Sequence, residues 1–353
     1  MTSSSTAPDL RAICRSALGC DVVSSDPVGA GGNSRVFRVE LDHASTSLPR
    51  RVVVKFYRRD AGDSRDRLGT EFGSLRFLWQ NNFRSIPSPL AIARDRQCAI
   101  YEYIDGVVAT SGALGPADVD AAVHFLGMLK QLRGAPGSDA LPPASEACFS
   151  LSDIVASVDR RLERLRHNPG GDPGGDDVQR MRWWADDVLA PLASEVGEWC
   201  RGAARQAGIA FDEPMGVDAR TLSPSDFGFH NAIRRPNGAL AFVDFEYFGW
   251  DDPAKTIVDF LLHPGMMLDD RLKRRFATCA QAAFADVPAL AARTRIVYPL
   301  FGLKWVLILL NDFLPERFVP AARERRATQL GKAQALLGRL AGEYANNPFD
   351  VLL

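Results

Sequence analysis

The chain has 353 residues, 46% of them apolar and 24% charged, with 42 basic against 43 acidic side chains and a formal net charge of −1. That composition excludes a disordered tail, a collagen-like chain and a disulfide scaffold, and the near-neutral charge argues against a protein whose task is to coat nucleic acid. At roughly 150 residues per domain the length suggests about two domains.

In chain order, Pro8–Leu18 carries apolar residues at 10, 13, 14, 17 and 18, the spacing of one helical face. Val36–Leu41 and Arg51–Tyr57 (RVVVKFY) are rich in β-branched and aromatic residues and read as strands. Thr70–Gln80 returns to helical periodicity, and Ala99–Ile104 (AIYEYI) is a short strand closed by Asp105-Gly106. Beyond Gly106 the texture is helical, with Val119–Leu132, Leu151–Leu165 and Val178–Ala204, the last two separated by the Gly/Pro/Asp loop His167–Asp177. Thr221–Tyr247 breaks that texture. Two apolar runs there flank Arg234–Gly238 (RRPNG), a turn signal that predicts a hairpin. Helices resume after Pro253.

The six cysteines are scattered without a CxxC pair, and the first residues show no basic-then-apolar secretory pattern. The longest apolar stretch, Val297–Leu310, is interrupted by Pro299, Gly302 and Lys304 and reads as too short to span a bilayer. The expectation is a cytoplasmic protein with no membrane, nucleic-acid or obligate protein partner.

Three sets of residues carry chemistry. Val28–Phe37 (VGAGGNSRVF) is a glycine loop followed by a strand, which fits neither a dinucleotide fingerprint, where a helix follows, nor a P-loop. It fits a flap whose backbone N–H groups lie over phosphates. Only six basic residues are lysines, against 36 arginines, and Lys55 stands inside the most apolar strand, where an ammonium wants a buried anion. Glu71, sixteen residues on, lies on the next helix. In the third set Asp226, Asn231 and Asp244 bring hard oxygen donors to one segment, the kind that magnesium prefers. Taken singly, these are also ordinary turn and capping residues.

The order glycine loop, VVVK, helix glutamate, AIYEYIDG, DxxxxN and VDFE resembles the aminoglycoside phosphotransferase and choline kinase-like family, which shares the protein-kinase fold. The resemblance runs from about residue 20 to 340 and implies an α+β, two-lobed fold. A small N-terminal lobe, 1–105, would hold an antiparallel sheet and one main helix. A larger, mostly helical lobe, 106–353, would hold the catalytic loop and acceptor site. It implies ATP and Mg²⁺ as cofactors and a small-molecule hydroxyl as acceptor. Residue by residue, Gly29, Gly31, Gly32, Asn33 and Ser34 would cover the phosphates, and Lys55 would bind them while paired with Glu71. The backbone of Glu102, Tyr103 and Ile104 would read adenine. Asp226 would orient or deprotonate the acceptor hydroxyl, and Asn231 and Asp244 would hold the metal. Asp252-Pro253 and Asp259 match a stretch that organises the catalytic loop.

This chain departs from the family's usual His-Gly before the catalytic aspartate, having Pro224-Ser225, and has Phe-Gly-Phe-His between Asp226 and Asn231. His230 reads as a packing or hydrogen-bonding neighbour of Asn231. For the acceptor, Tyr247 and Trp250 offer stacking faces and Asp251 a negative charge, whereas Phe248 reads as core. The resulting expectation is a small-molecule kinase acting on a sugar, amino sugar or amino alcohol. The alternative is a pseudokinase or nucleotide-dependent binding module. A protein kinase is disfavoured, because the run DFEYFGWDDPAK leaves no long activation segment.

Overall fold

Alternating polarity puts β-branched residues on one face of a sheet and a helix over them. In the computed structural model, which describes residues 9–30, 34–42, 48–58, 65–171, 175–266, 268–347 and 349, the chain begins with α1 (Leu10–Leu18), β1 (Val22–Ala30), β2 (Ser34–Leu41) and β3 (Arg51–Tyr57). Next come α2 (Arg67–Gln80), β4 (Pro89–Ala93), β5 (Cys98–Glu102) and β6 (Val107–Val108). Four helices follow: α3 (Pro116–Gln131), α4 (Leu151–His167), α5 (Asp176–Trp184) and α6 (Ala190–Gln206), the last two joined through a π-helical turn, Ala185–Leu189. The short strands β7 (Thr221–Ser223), β8 (Ala232–Arg234), β9 (Leu240–Phe242) and β10 (Gly249–Asp251) precede α7 (Pro253–Leu262), α8 (Asp270–Ala283), α9 (Leu290–Leu309) and α10 (Arg323–Glu343). The fold is the expected α+β class.

By backbone proximity the chain divides into two compact units. The first holds the described residues up to Ala113, with Gln131–Ser145 and Pro224–Gly249; the second holds Leu114–Lys130, Glu146–Ser223 and the described residues from Trp250 on.

In the first unit, five strands form an antiparallel sheet in the order β1-β2-β3-β5-β4. Asp9 caps α1 by accepting from Ala12 N at 3.0 Å, and Gly19 ends the helix at φ 70°. Between them α1 presents Leu10, Ile13 and Cys14 to Val39, Val52, Val54 and Ile100 of the sheet. Each such side chain removed from water contributes about 1.5–3 kcal/mol. Cys14 and Cys98 sit in this layer, where burial pushes both thiols up to about 11, so they stay protonated and unreactive. All six cysteines are free.

The predicted hairpin is β8–β9, with Ile233 opposite Ala241 and a turn closed by Arg235 N bonding Ala239 O at 2.9 Å. Phe242 N donates to Ser85 O at 2.8 Å, anchoring the hairpin to the segment before β4. β6 pairs with β8, and this needs Gly106, which sits at φ 150° where an added Cβ would lie 2.2 Å from Arg234 O.

In the second unit α9 is the central helix, touched by α4, α6, α7 and α10. The stretch Leu290–Phe313 is long and apolar enough to cross a membrane (hydropathy 1.5), and 72% of its apolar window is buried inside the protein. Pro299, Gly302 and Lys304, read from sequence as interruptions, all lie inside the helix. At Gly302 an added Cβ would come within 2.5 Å of the Leu340 side chain on α10, which would have to shift. Lys304 meets Glu146 at 3.1 Å.

Candidate active site

Strand β3 sorts its side chains by parity. Val52 and Val54 face α1, so Val53, Lys55 and Tyr57 face the other side of the sheet. There Lys55 is 6% exposed, and its ammonium lies 2.6 Å from Glu71 Oε2, 2.6 Å from Asp244 Oδ1 and 3.8 Å from Glu246. Burial alone would push the Lys55 pKa down. The three carboxylates outweigh it and hold the group above its ordinary value, so it stays charged. Burial pushes Glu71 up, against the pull of Lys55. Glu71 also accepts from Tyr57 Oη at 2.8 Å and from Phe245 N at 3.3 Å. Lys55 thus faces three carboxylates, and oxygens of Glu71, Asp244 and Glu246 lie within 4.8 Å of one another.

Asp244 leaves the hairpin in the left-handed region, φ 68°, a conformation that aspartate tolerates better than most residues. Its side chain is 37% exposed, against 8% for Lys55 and 4% for Glu71, so it is the open member of the cluster.

The Asp226 loop is held by its own turns. Ser225, at φ 67°, donates from its hydroxyl to Ser145 O at 3.2 Å, and Asp226 N bonds Pro224 O at 2.9 Å. The family's usual glycine at this position fits a positive φ; here a serine adopts it, tethered by that hydroxyl. His230 Nε2 lies 3.0 Å from Asp226 Oδ1, so the histidine read from sequence as a neighbour of Asn231 sits on the aspartate carboxylate itself. Asn231 Nδ2 donates to Asp226 O at 3.0 Å, and Val243 N donates to Asn231 O at 2.9 Å. The Asn231 amide nitrogen is thereby committed, leaving its side-chain oxygen as the ligand atom. Lys55, Glu71, Asp226, Asn231 and Asp244 all belong to the first unit.

The remaining expected residues are placed as follows. Gly29 pairs with Val36 across β1 and β2, and Ser34, 9% exposed, pairs with Tyr57; Gly31, Gly32 and Asn33 lie outside the described residues. Glu102 N bonds Ser88 O at 2.9 Å and Tyr103 N bonds Arg51 O at 3.3 Å, while Ile104 is buried. Tyr247 carries the guanidinium groups of Arg65 and Arg67 at 5.4 and 5.9 Å from its ring. Burial, with Glu246 beside it, pushes the Tyr247 hydroxyl up. Phe248 is core, as expected, at 1% exposure.

Trp250 and Asp251 belong to the second unit, and Asp251 needs correcting. It is fully buried, with its carboxylate 2.6 Å from Lys255 and bonded to Asp252 N, so it has no charge to offer a cationic acceptor. Its neighbours are structural. Asp252 caps α7 through Ala254 N at 2.8 Å and pairs with Arg293 at 2.7 Å. Thr256 reaches Ser223 Oγ at 3.2 Å, at the end of the strand that enters the Asp226 loop, and Asp259 accepts from Trp305 Nε1 at 3.1 Å.

The model of the "Phosphotransferase enzyme family" matches residues 26–293, about three quarters of the chain. No curated protein sequence matches it. Among solved structures, a spectinomycin phosphotransferase in complex with ADP and spectinomycin superposes with a TM-score of 0.64 at 10% identity, covering 94% of this chain and 97% of that one. A choline kinase from Cryptosporidium parvum gives 0.59 at 13%, covering 96% and 97%. A Plasmodium vivax ethanolamine kinase gives 0.57 at 14%, covering 91% and 83%. At such identities these likenesses speak for the fold alone, which is the two-lobed, protein-kinase-like one, and the family match says the rest: the chain belongs to the phosphotransferase enzyme family.

Proposed function

We propose that this protein is an ATP- and Mg²⁺-dependent kinase that moves the γ-phosphate of ATP to a hydroxyl of a small molecule. The observation that carries the reading is the bonded set Lys55–Glu71–Asp244, with Asp226 and Asn231 tied into the same unit. Phosphoryl transfer asks for positioning and charge neutralisation more than covalent work.

In this reading Lys55 draws the α- and β-phosphates, oriented by Glu71, and backbone N–H groups of Gly29–Ser34 would serve the phosphates as well. The backbone of Glu102–Ile104 reads adenine through groups other than the two N–H donors already spent. The residues fit a magnesium ion: Asn231 offers an amide oxygen and Asp244 an accessible carboxylate, both hard oxygen donors. When bound, such an ion supplies further neutralisation of the phosphate oxygens. Asp226 takes the proton of the acceptor hydroxyl, its carboxylate aimed by His230. The nucleotide-binding part is residues 1–105, and 106–353 supply the catalytic loop and acceptor contacts. The cytoplasm, where ATP is available, is the proposed compartment.

For the acceptor, Tyr247 and Trp250 remain the contacts we propose. Tyr247 already carries two guanidinium groups against its ring, which makes it a poor box for another cation and favours a neutral hydroxyl compound over a quaternary ammonium.

The test is phosphate transfer from ATP, with Mg²⁺, across a panel of sugars, amino sugars and amino alcohols, with Asp226→Asn as control. Transfer to at least one acceptor is expected, and the variant should lose about 10²–10⁴-fold in kcat while still binding ATP. ATP binding without transfer to any acceptor would replace this reading with that of a nucleotide-dependent binding module. An Asp226→Asn variant of unchanged kcat would remove Asp226 from the base role.

A further inference from the structure

The Lys55–Glu71 pair has an unusual support behind it. Tyr57, two residues after Lys55 and on the same face of β3, donates its hydroxyl to Glu71 Oε2 at 2.8 Å. Tyr101, on β5, stands with its hydroxyl 2.8 Å from that of Tyr57. Both side chains are buried, at 6% and 3% exposure. Burial, and then the charge of Glu71, holds both phenols well above their ordinary pKa, so both keep their protons.

A phenol has one proton to give. The Tyr57 proton goes to Glu71, so the proton between the two rings is that of Tyr101. The bonds therefore run one way, from Tyr101 to Tyr57 to Glu71 Oε2, the oxygen that also holds Lys55. The other oxygen, Oε1, receives Phe245 N. Tyr101 immediately precedes Glu102, and Phe245 immediately follows Asp244. Glu71 is thus the junction between the strand leading to Glu102–Ile104 and the segment that carries Asp244.

Lys55 is shared between Glu71 and Asp244, so it does not fix the glutamate by itself, whereas the Tyr57 hydroxyl binds Glu71. Packing alone does not account for two hydroxyls here. Phenylalanine fills nearly the same space, and a buried hydroxyl is unfavourable unless it is hydrogen-bonded.

We propose that Tyr57 and Tyr101 are positioning residues of the phosphate-binding site, fixing the Glu71 carboxylate and, through it, the Lys55 ammonium and the backbone at Asp244-Phe245. This rests on the reading of Lys55 as the lysine that binds nucleotide phosphates.

The test uses Tyr57→Phe and Tyr101→Phe in the full chain, with calorimetric binding of ADP and of adenosine, and transfer kinetics where an acceptor is in hand. Removing one bond to a charged carboxylate should weaken ADP binding about tenfold for Tyr57→Phe and roughly threefold for Tyr101→Phe, with adenosine affinity unchanged. In a Glu71→Gln background the further effect of Tyr57→Phe should shrink to about twofold or less, because the hydroxyl acts through that carboxylate. ADP affinity equal to wild type in both variants would overturn the proposal. So would equal losses for ADP and adenosine, or losses that simply multiply with Glu71→Gln. If Tyr57→Phe does not fold, Tyr101→Phe, one bond further from the charge, carries the same comparison. A wild-type protein that binds ADP no better than adenosine would instead overturn the assignment of Lys55 itself.

Discussion

Two buried lysines, one in each unit, sit in ion clusters that resemble each other on paper and differ in what they can do. Lys55 is 6% exposed and Lys255 is 1% exposed, and each has a carboxylate at 2.6 Å. Around Lys255 every partner is closed in. Asp251 is fully buried, Asp259 lies at 3.5 Å with a side chain 13% exposed, and each carboxylate has a further donor, Asp252 N for the one and Trp305 for the other. Around Lys55 three carboxylates gather and one of them, Asp244, is 37% exposed. A sealed cluster fixes a fold, in this case the start of α7 beside the strand that enters the Asp226 loop. An open cluster leaves a carboxylate that a ligand can reach. Burial of a lysine therefore says little by itself; the accessibility and charge of its partners decide.

The sharpest way to separate the two is to remove each ammonium in turn. Lys55→Met should lower kcat/KM by about 10³-fold, near 4 kcal/mol of transition-state stabilisation. Its melting temperature should fall as well, because Glu71 and Glu246 are buried and lose a counter-ion, but by less than that of Lys255→Met. Glu71 keeps its bonds from Tyr57 and Phe245 N, and Asp244 can turn to solvent. A variant that loses several degrees of stability but keeps its turnover would reverse the roles assigned to the two lysines.

Lys255→Met should do the opposite. It strands the Asp251 carboxylate, fully buried, without its counter-ion, which typically costs about 3–5 kcal/mol. Turnover per folded molecule should stay near wild type. Adding Asp251→Leu should recover part of the loss, because a well-packed apolar pair can replace a buried ion pair. Chemical denaturation of the single and double variants reads both effects, and a double variant no more stable than Lys255→Met would mean that the damage is in packing instead of charge.

The same contrast explains what the sequence revealed. Lys55 was legible because an ammonium in the run RVVVKFY contradicts its surroundings, and a strand's two-residue period put Lys55 and Tyr57 on one face. Asp226, Asn231 and Asp244 were legible by order and spacing. Lysine scarcity was a weaker guide than it looked, since Lys55, Lys255 and Lys304 are all buried and only the first stands in the open cluster. Asp251 was misread because its charge looked available, although its partner stood four residues on, the spacing of neighbours at a helix start. The supports were silent. Tyr57 and Tyr101 in apolar strands look like core until their hydroxyls are seen to converge, and the contact of His230 with Asp226 depends on a loop bend that spacing does not encode. Pro224–Gly249 groups with the first unit through long-range bonds such as Phe242 N to Ser85 O, which no local pattern announces.

Lys304 supplies the last and smallest test, because it is buried at 8% beside a carboxylate, Glu146, that is 36% exposed, nearly as open as Asp244. Exposure alone would place it with Lys55. Charge separates it from Lys55: Glu146 receives Arg161 at 2.6 Å as well as Lys304 at 3.1 Å, so two cations meet one carboxylate where Lys55 faces three. Burial pushes the Glu146 carboxyl up, but Lys304 and Arg161 outweigh it and hold the group down at about 2, against an ordinary value of 4.5. A folded-state pKa lowered in this way contributes stability that is fully present above pH 4.5 and is lost as pH falls toward 2. Discounted for solvent screening, the contribution is about 1–2 kcal/mol. Unfolding free energies of Glu146→Gln and wild type should therefore differ by about that amount at pH 7 and converge between pH 4.5 and 2, with turnover at pH 7 retained. A gap that stayed constant down to pH 2 would trace the effect to lost packing, and a large loss of turnover at pH 7 would move this third lysine into the class of Lys55.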